Sequence, residues 1–445
     1  MKHTLFLLGV TVGIAWLILL GVFGICTANF IVPSSYSSTN APLETQSTEL
    51  IISNNSTANQ LPAVAYNPDR DEYLVVWRSQ QADGYDIRGQ YLDSGGVLVR
   101  ADFTVTTPIS VSWPRLPAVA YNSTQKEFLV VWNNEISNSL HGQRVLSDGV
   151  LIGSPFTITT PLSDYPHGPA LAYAPADNVF LLAWRGCVQS QQSVAISPNG
   201  GGGPCYFYTQ VLDGKGAEIS ENITATTNTY MQSYPALTYM PDLHEFWIVW
   251  TEQYTITAQR ILTTGLLISE PFTIAQGTTE MFNPSISNTS SRGEFLVTWE
   301  NMRYVLSQSL NPMGGGGYRD IYARRVLSSG VPAGDSFRVS NVSSTALEPK
   351  TVYLSGQDQY FVAWVSIDYQ NHHQGIYARW ISETGETLGH DFPVVVEPED
   401  QFQVAVAGDN MVLVAWQDNR GGPDIRGRIL ERPWWVYLPL VMRAG

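Results

Sequence analysis

The residues Leu61–Trp77, LPAVAYNPDRDEYLVVW, return 55 positions later as Leu116–Trp132, LPAVAYNSTQKEFLVVW. A chain that writes one segment twice folds as an array of like units, since internal repetition at a fixed period is the signature of repeat architectures. Five further copies follow: GPALAYAPADNVFLLAW ending at Trp184, YPALTYMPDLHEFWIVW at Trp250, NPSISNTSSRGEFLVTW at Trp299, EPKTVYLSGQDQYFVAW at Trp364, and the shorter QVAVAGDNMVLVAW at Trp416. Successive tryptophans are separated by 55, 52, 66, 49, 65 and 52 residues, so seven units share a core period near 50.

Each unit has a second half. A variable loop after the tryptophan leads into DIRGQYL, LHGQRVL, FYTQVL, ITAQRIL, IYARRVL, IYARWIS or DIRGRIL. In six units a glycine-containing turn follows, and then a short β-rich segment such as FTVTT from Phe103 or FTITT from Phe156. Each unit therefore holds four short strands, A (PAVAY), B (EYLVVW), C (IxGQxL) and D (FTVTT). Four-stranded units at this period indicate a β-propeller. Strand B is apolar at nearly every position, so both of its faces are expected to be covered. Strand A carries small residues suited to a crowded hub. Strand D reads half-exposed, with Phe103 and Val105 inward and Thr104 and Thr106 outward. Composition agrees: 44% of residues are apolar and 14% charged, too apolar for disorder and too sparsely charged for a coiled coil. The expected fold is all-β, a seven-bladed β-propeller of four-stranded blades.

The seventh unit lacks a strand D after Leu430. ELIIS (49–53) stands ahead of the first unit at nearly the spacing of FTVTT ahead of the second. An N-terminal strand completing the last blade would close the ring and remove two open sheet edges. VYLPLV near the C-terminus is the alternative. The expected boundaries are a leader at 1–28, a Ser/Thr/Asn-rich tether at 29–48, the propeller at 49–432 and an apolar tail at 433–445.

The leader, MKH followed by an uncharged apolar run, is either a signal peptide, with cleavage permitted after Ala28, or an N-terminal membrane anchor. Ile25 before Cys26 argues against a lipidated cysteine. Lys2 precedes the run and the next basic residue is Arg70, an asymmetry that places the rest outside the cytoplasm. In an oxidising compartment the two remaining cysteines, Cys187 and Cys205, are expected to pair. The net charge of −15 argues against nucleic acid as a partner. No cofactor or metal motif is present, and a monomer is expected.

Repeated residues are structural first. The strand-B tryptophans are expected to pack between blades. The strand-C polar position, Gln90, Gln143, Gln210, Gln259, Arg324, Arg379 and Arg428, is expected to make structural hydrogen bonds. Function then belongs to what is not repeated. The long insertions fall in B–C loops, within 185–205, 300–319 and 365–374, and their glycine runs PNGGGGPC and NPMGGGG lack the context of a phosphate cradle. The same face collects the aromatics Trp113, Tyr165, Tyr230, Phe282, Tyr304, Tyr318 and Tyr369, suited to sugar rings or peptide segments. It also collects Arg185, Glu252, Glu300, Asp368 and Asp418 just after the tryptophans. Two carboxylates across a central pocket could hydrolyse a glycoside; no pair has a distinguishing context, and no residue is assigned as catalytic. His372 and His373 are adjacent, a poor geometry for chelation.

These units resemble a repeat found in exported bacterial β-propeller proteins, carried by P-A-V-A-Y, E-[YF]-L-V-V-W and I-x-[GA]-[QR]-x-[LIV]-L over residues 49–432. The resemblance implies the fold and says little about activity. WD40 and sialidase signatures are missing. The expected function is non-enzymatic binding of an extracellular polysaccharide or protein through the B–C face; the alternatives are a carbohydrate-active enzyme at the central opening, or a structural or adhesive envelope protein.

Overall fold

The computed structural model describes residues 48–53, 57–82, 84–106, 114–134, 137–161, 164–188, 205–226, 233–252, 254–289, 292–303, 318–341, 344–369 and 373–431. The leader, most of the tether, the C-terminal tail and both glycine runs lie outside them. Among the described residues no helix is long and apolar enough to cross a membrane.

Seven antiparallel sheets of four strands each form the propeller. In blade 1 the strands are A (Asn59–Asn67), B (Glu72–Gln81), C (Gly84–Asp93) and D (Phe103–Thr104). Six blades run A-B-C-D in chain order. The seventh takes A, B and C from Gln401–Gly408, Val412–Asp418 and Asp424–Leu430, and its fourth strand, Leu50–Ile51, from the other end of the chain. Leu50 pairs with Gly427 and Ile51 with Arg426, so the N-terminal strand closes the ring.

The alternation of strand B explains how the blades cohere. Side chains along a strand point to opposite faces in turn. Tyr73, Val75 and Trp77 share a core cluster with Leu413, Ala415 and Ile425 of blade 7. Leu74 and Val76 share another with Phe128, Val130 and Trp132 of blade 2. The pattern holds around the ring. Trp184 joins Leu129 and Val131 of blade 2, Trp250 joins Leu181 and Ala183 of blade 3, and Trp299 joins Val249 of blade 4. Trp364 joins Ala323 of blade 5, and Trp416 joins Ala363 of blade 6. Each tryptophan thus faces the blade before it, and none is more than 4% exposed. Truncating such a side chain to alanine costs about 3–5 kcal/mol.

The strand-C polar position is a second set of fasteners. Gln143 donates to Arg144 O and Ile152 O at 2.9 and 3.0 Å, within its own blade. The three arginines also reach back to the preceding blade: Arg324 Nη1 to Ile274 O at 2.7 Å, Arg379 Nη1 to Val339 O at 2.8 Å and Arg428 Nη1 to Val394 O at 2.6 Å. The longer arginine side chain reaches that second acceptor in each case.

Charges clasp the ring closure. Glu49 Oε1 accepts from Arg420 Nη2 and Arg426 Nη1, each at 2.6 Å. Arg420 also forks onto the fully buried Asp418, Nε to Oδ1 and Nη2 to Oδ2, both at 2.8 Å. Burial alone would push the Asp418 carboxyl up. The bonds from Arg420 and from Trp416 Nε1 outweigh it and hold the carboxyl below the usual aspartate range.

Strand D differs from expectation at Thr106. Thr106 does not face outward; it is buried, and its Oγ1 accepts from Ile87 N at 3.2 Å. Ser340 and Ser53 do the same for Ile321 N and Ile425 N, at 2.9 and 2.8 Å. The hydroxyl satisfies a strand-C amide where the ladder ends.

Candidate functional site at the hub

Antiparallel alternation places the B–C hairpins and the starts of the A strands on one face. At that end of the hub lies a cavity of about 850 Å³. Its geometry comes from an irregularity in strand A. In six blades the A–B pairing slips by one residue, as between Gln60 and Ala63 in blade 1. The bulged residues have left-handed backbones: Leu61 (φ 60°), Leu116 (45°), Gly168 (58°), Asn283 (45°), Glu348 (53°) and Gln403 (51°). Tyr234 holds the corresponding place in blade 4, and all seven line the cavity. A non-glycine residue in this region costs of order 1 kcal/mol or more, which the surrounding structure must offset. Two of the bulged amides are held by side chains of a neighbouring blade: Leu61 N donates to Gln403 Oε1 at 3.1 Å, and Glu348 N to Glu300 Oε1 at 2.7 Å.

One recurring position of the cavity wall is thus filled by varying side chains, Leu, Leu, Gly, Tyr, Asn, Glu and Gln. A further lining position, two residues on, is Ala63, Ala118, Ala170, Ala236, Ser285, Lys350 and Ala405. Six blades keep it small and blade 6 inserts an amine. Arg78, Glu348 and Lys350 are the charged groups among the described lining residues, alongside the amides Gln60, Asn283, Gln403 and Gln417. Burial pushes the Glu348 carboxyl up, with Lys350 opposing and Glu300 assisting.

None of the residues singled out from the sequence is among the described residues that line this cavity. Trp113, Tyr230, Tyr304 and His372 are outside the described residues. Arg185, Glu300 and Asp368 sit on strands, not loops: the hairpins project beyond the tryptophans, with strand B ending at Val188 in blade 3, Arg303 in blade 5 and Asp368 in blade 6. Glu300 is fully buried. It accepts from Asn283 Nδ2 and Arg319 Nη1, both at 2.6 Å, and Arg319 lies 4.1 Å over the Phe282 ring. Its carboxylate is spent on holding the bulges of blades 5 and 6. Asp418 belongs to the ring clasp. Glu252 Oε1 accepts from Trp250 Nε1 at 2.8 Å. Tyr318 and Tyr369 come together edge to face, centroids 6.3 Å apart, with Arg303 5.4 Å over Tyr318. Asp368 pairs opposite His373, whose Nδ1 bonds to Pro398 O at 3.2 Å. Tyr165 stands opposite Cys187, and Cys187 and Cys205 are bonded directly across strands B and C at an S–S distance of 2.03 Å. Among the described residues no three His, Cys, Asp or Glu side chains cluster as metal ligands would.

Sequence reasoning missed the hub ring, Tyr234 above all. The signal was present in the seven aligned copies: the letter before the proline, or before valine in the last, differs between most units while its neighbours repeat.

No protein-family profile and no curated protein sequence matches the chain. Solved structures do resemble it. A protein of unknown function from Dyadobacter fermentans shares 13% identity over 88% of this chain and 99% of its own, with a TM-score of 0.50. An oligogalacturonate lyase in complex with manganese shares 10% over 89% and 99%, with a TM-score of 0.49. The β-propeller domain of the trilobed protease from Pyrococcus furiosus shares 8% over 83% and 93%, with a TM-score of 0.47. At such identities the likeness is one of fold. The class is the seven-bladed β-propeller, and activity has to be argued from the site.

Proposed function

We propose that this is an exported, non-enzymatic propeller that binds a polysaccharide at the hub end of its B–C face. The observation that carries the reading is the cavity ring itself. Seven equivalent positions, carrying two leucines, a glycine, a tyrosine, two amides and the carboxyl of Glu348, surround about 850 Å³, the mixed lining expected of a small-ligand site. Aromatic rings take the apolar faces of sugars and amides take their hydroxyls. The Tyr318–Tyr369 pair extends the same chemistry onto the hairpins. Hydrolysis of a glycoside needs two carboxylates flanking the bond. Glu348 is the one carboxylate among the described lining residues, while Glu300 and Asp418 are committed to ion pairs. Export accords with the disulfide and with the apolar leader.

A glycan array tests this, followed by Tyr234→Ala and Gln403→Ala in the best binder. Retention of an oligosaccharide, lost on hub substitution and with no new reducing ends after long incubation, is the expected result. Appearance of reducing ends would establish the enzyme alternative instead, and an array blank against all saccharides would remove the carbohydrate reading.

A further inference from the structure

Of the three charged residues that line the hub of this strongly acidic chain among the described residues, two are cations, Lys350 and Arg78, and the third is Glu348. Lys350 stands where the other six blades have alanine or serine, and Arg78 lines the wall in blade 1. A third cation, Arg185, stands behind the lining rather than in it. Arg185 follows the strand-B tryptophan of blade 3, the place held by Arg78 in blade 1 and Gln417 in blade 7, both of which line the cavity. It pairs across the sheet with His167, next to the lining residue Gly168. It is 7% exposed, and its Nε has no hydrogen-bond partner among the described residues. No carboxylate of the described residues forms an ion pair with it. Its guanidinium lies 4.9 Å from the centroid of the Tyr234 ring, itself part of the wall.

The local fold makes room for this arrangement. A Cβ at position 168 would come within 2.0 Å of Tyr234 Cδ1, so glycine there lets the Tyr234 ring lie against the blade 3 backbone. Tyr234 stays 39% exposed. A buried guanidinium without a counter-ion is unfavourable, and burial draws its pKa down. The arrangement becomes favourable when an anion arrives, because a planar fork binds a carboxylate through two parallel hydrogen bonds. A ring carrying that carboxylate would find Tyr234 beside it.

We propose that the wall between blades 3 and 4 is a subsite for the carboxylate of a sugar acid, held by Arg185 against Tyr234, with Lys350 and Arg78 drawing further acidic units into the hub. This rests on the polysaccharide reading above and narrows it to uronate-bearing chains. An acidic peptide offers the same charge without the pyranose face that Tyr234 fits.

Calorimetric titration of the protein with a uronate trisaccharide and with its carboxyl-reduced, neutral counterpart is the test. The acidic sugar is expected to bind at least 10-fold more tightly at low salt, with the preference shrinking as salt rises. Arg185→Lys keeps charge and bulk but loses the fork. Lys350→Ala restores the residue typical of the other blades at an exposed site, and so keeps the test open if the first variant folds poorly. Each is expected to cut the acid-over-neutral preference by roughly 10-fold. Equal affinity for the two sugars, or a preference unchanged in both variants, overturns the subsite and leaves the carbohydrate reading standing. Binding of neither sugar overturns both. Binding of a glutamate hexapeptide in place of the uronate overturns the choice of ligand class.

Discussion

Trp77 and Trp364 hold equivalent places in blades 1 and 6, and both are fully buried. They differ in one hydrogen bond. Trp77 Nε1 donates to Asn59 Oδ1 at 2.8 Å, and Asn59 is fully buried as well. Trp364 Nε1 has no partner among the described residues. Replacing either with phenylalanine removes the same volume from a blade gap, so that cost is common to both. Trp77→Phe additionally leaves a buried carbonyl oxygen without its donor, a penalty of about 1–3 kcal/mol. Trp364→Phe removes a donor that was already unsatisfied, which offsets part of its cavity cost. Trp77→Phe is therefore expected to be the more destabilising by about 1–3 kcal/mol, as the difference between two urea midpoints at matched slopes. Far-UV circular dichroism is the suitable signal, since the substitutions change the fluorophore count. Equal losses, or a larger loss for Trp364→Phe, would refute the view that these tryptophans differ by one satisfied N–H and are otherwise interchangeable.

Asp418 has a folded pKa below its unfolded one, so its stabilising contribution is full above the unfolded value near ~4 and is lost as pH falls through the folded value. Asp418→Asn is expected to flatten that acid limb in pH-dependent urea melts. Glu348 has the opposite sign. Its raised pKa makes it destabilising above the folded value and neutral below the unfolded value near ~4.3, so Glu348→Gln is expected to raise the urea midpoint at pH 7 but not at pH 3. Arg428→Ala severs the tether to Val394 O and is expected to cost about 1–3 kcal/mol, with faster amide exchange concentrated at the blade 6–7 gap. Gly168→Ala meets both a left-handed backbone and the Tyr234 ring, and is expected to lower thermal stability and to displace Tyr234, read as loss of saccharide binding.

The scaffold was legible because cohesion repeats. A tryptophan needed in every gap recurs in every unit, and period-two alternation reveals which strand has both faces buried. Closure could be read from a missing strand at one end and a spare one at the other. The hub was harder to read for a physical reason. The bulge puts leucine, asparagine, glutamate and glutamine at positive φ, and none of these announces that conformation as glycine would. A search for similarity also treats a varying column as noise, although variation at a fixed position is what a recognition ring looks like. Arg185 and Glu300 were expected in loops because the tryptophan reads as a strand terminus, whereas the hairpins run on beyond it. Glu300 shows that an unrepeated charge can still be structural, since its partners, Asn283, Arg319 and the amide of Glu348, are unrepeated as well.

Repeated side chains hold the ring, and the varying residues at its hub are proposed to meet the ligand. A crystal structure of the protein with a bound uronate trisaccharide tests this most directly. The expected result is sugar density inside the hub cavity, touching Tyr234 and Lys350 with a carboxylate toward Arg185. Density on the outer strands or the opposite face, with the hub empty, would contradict it.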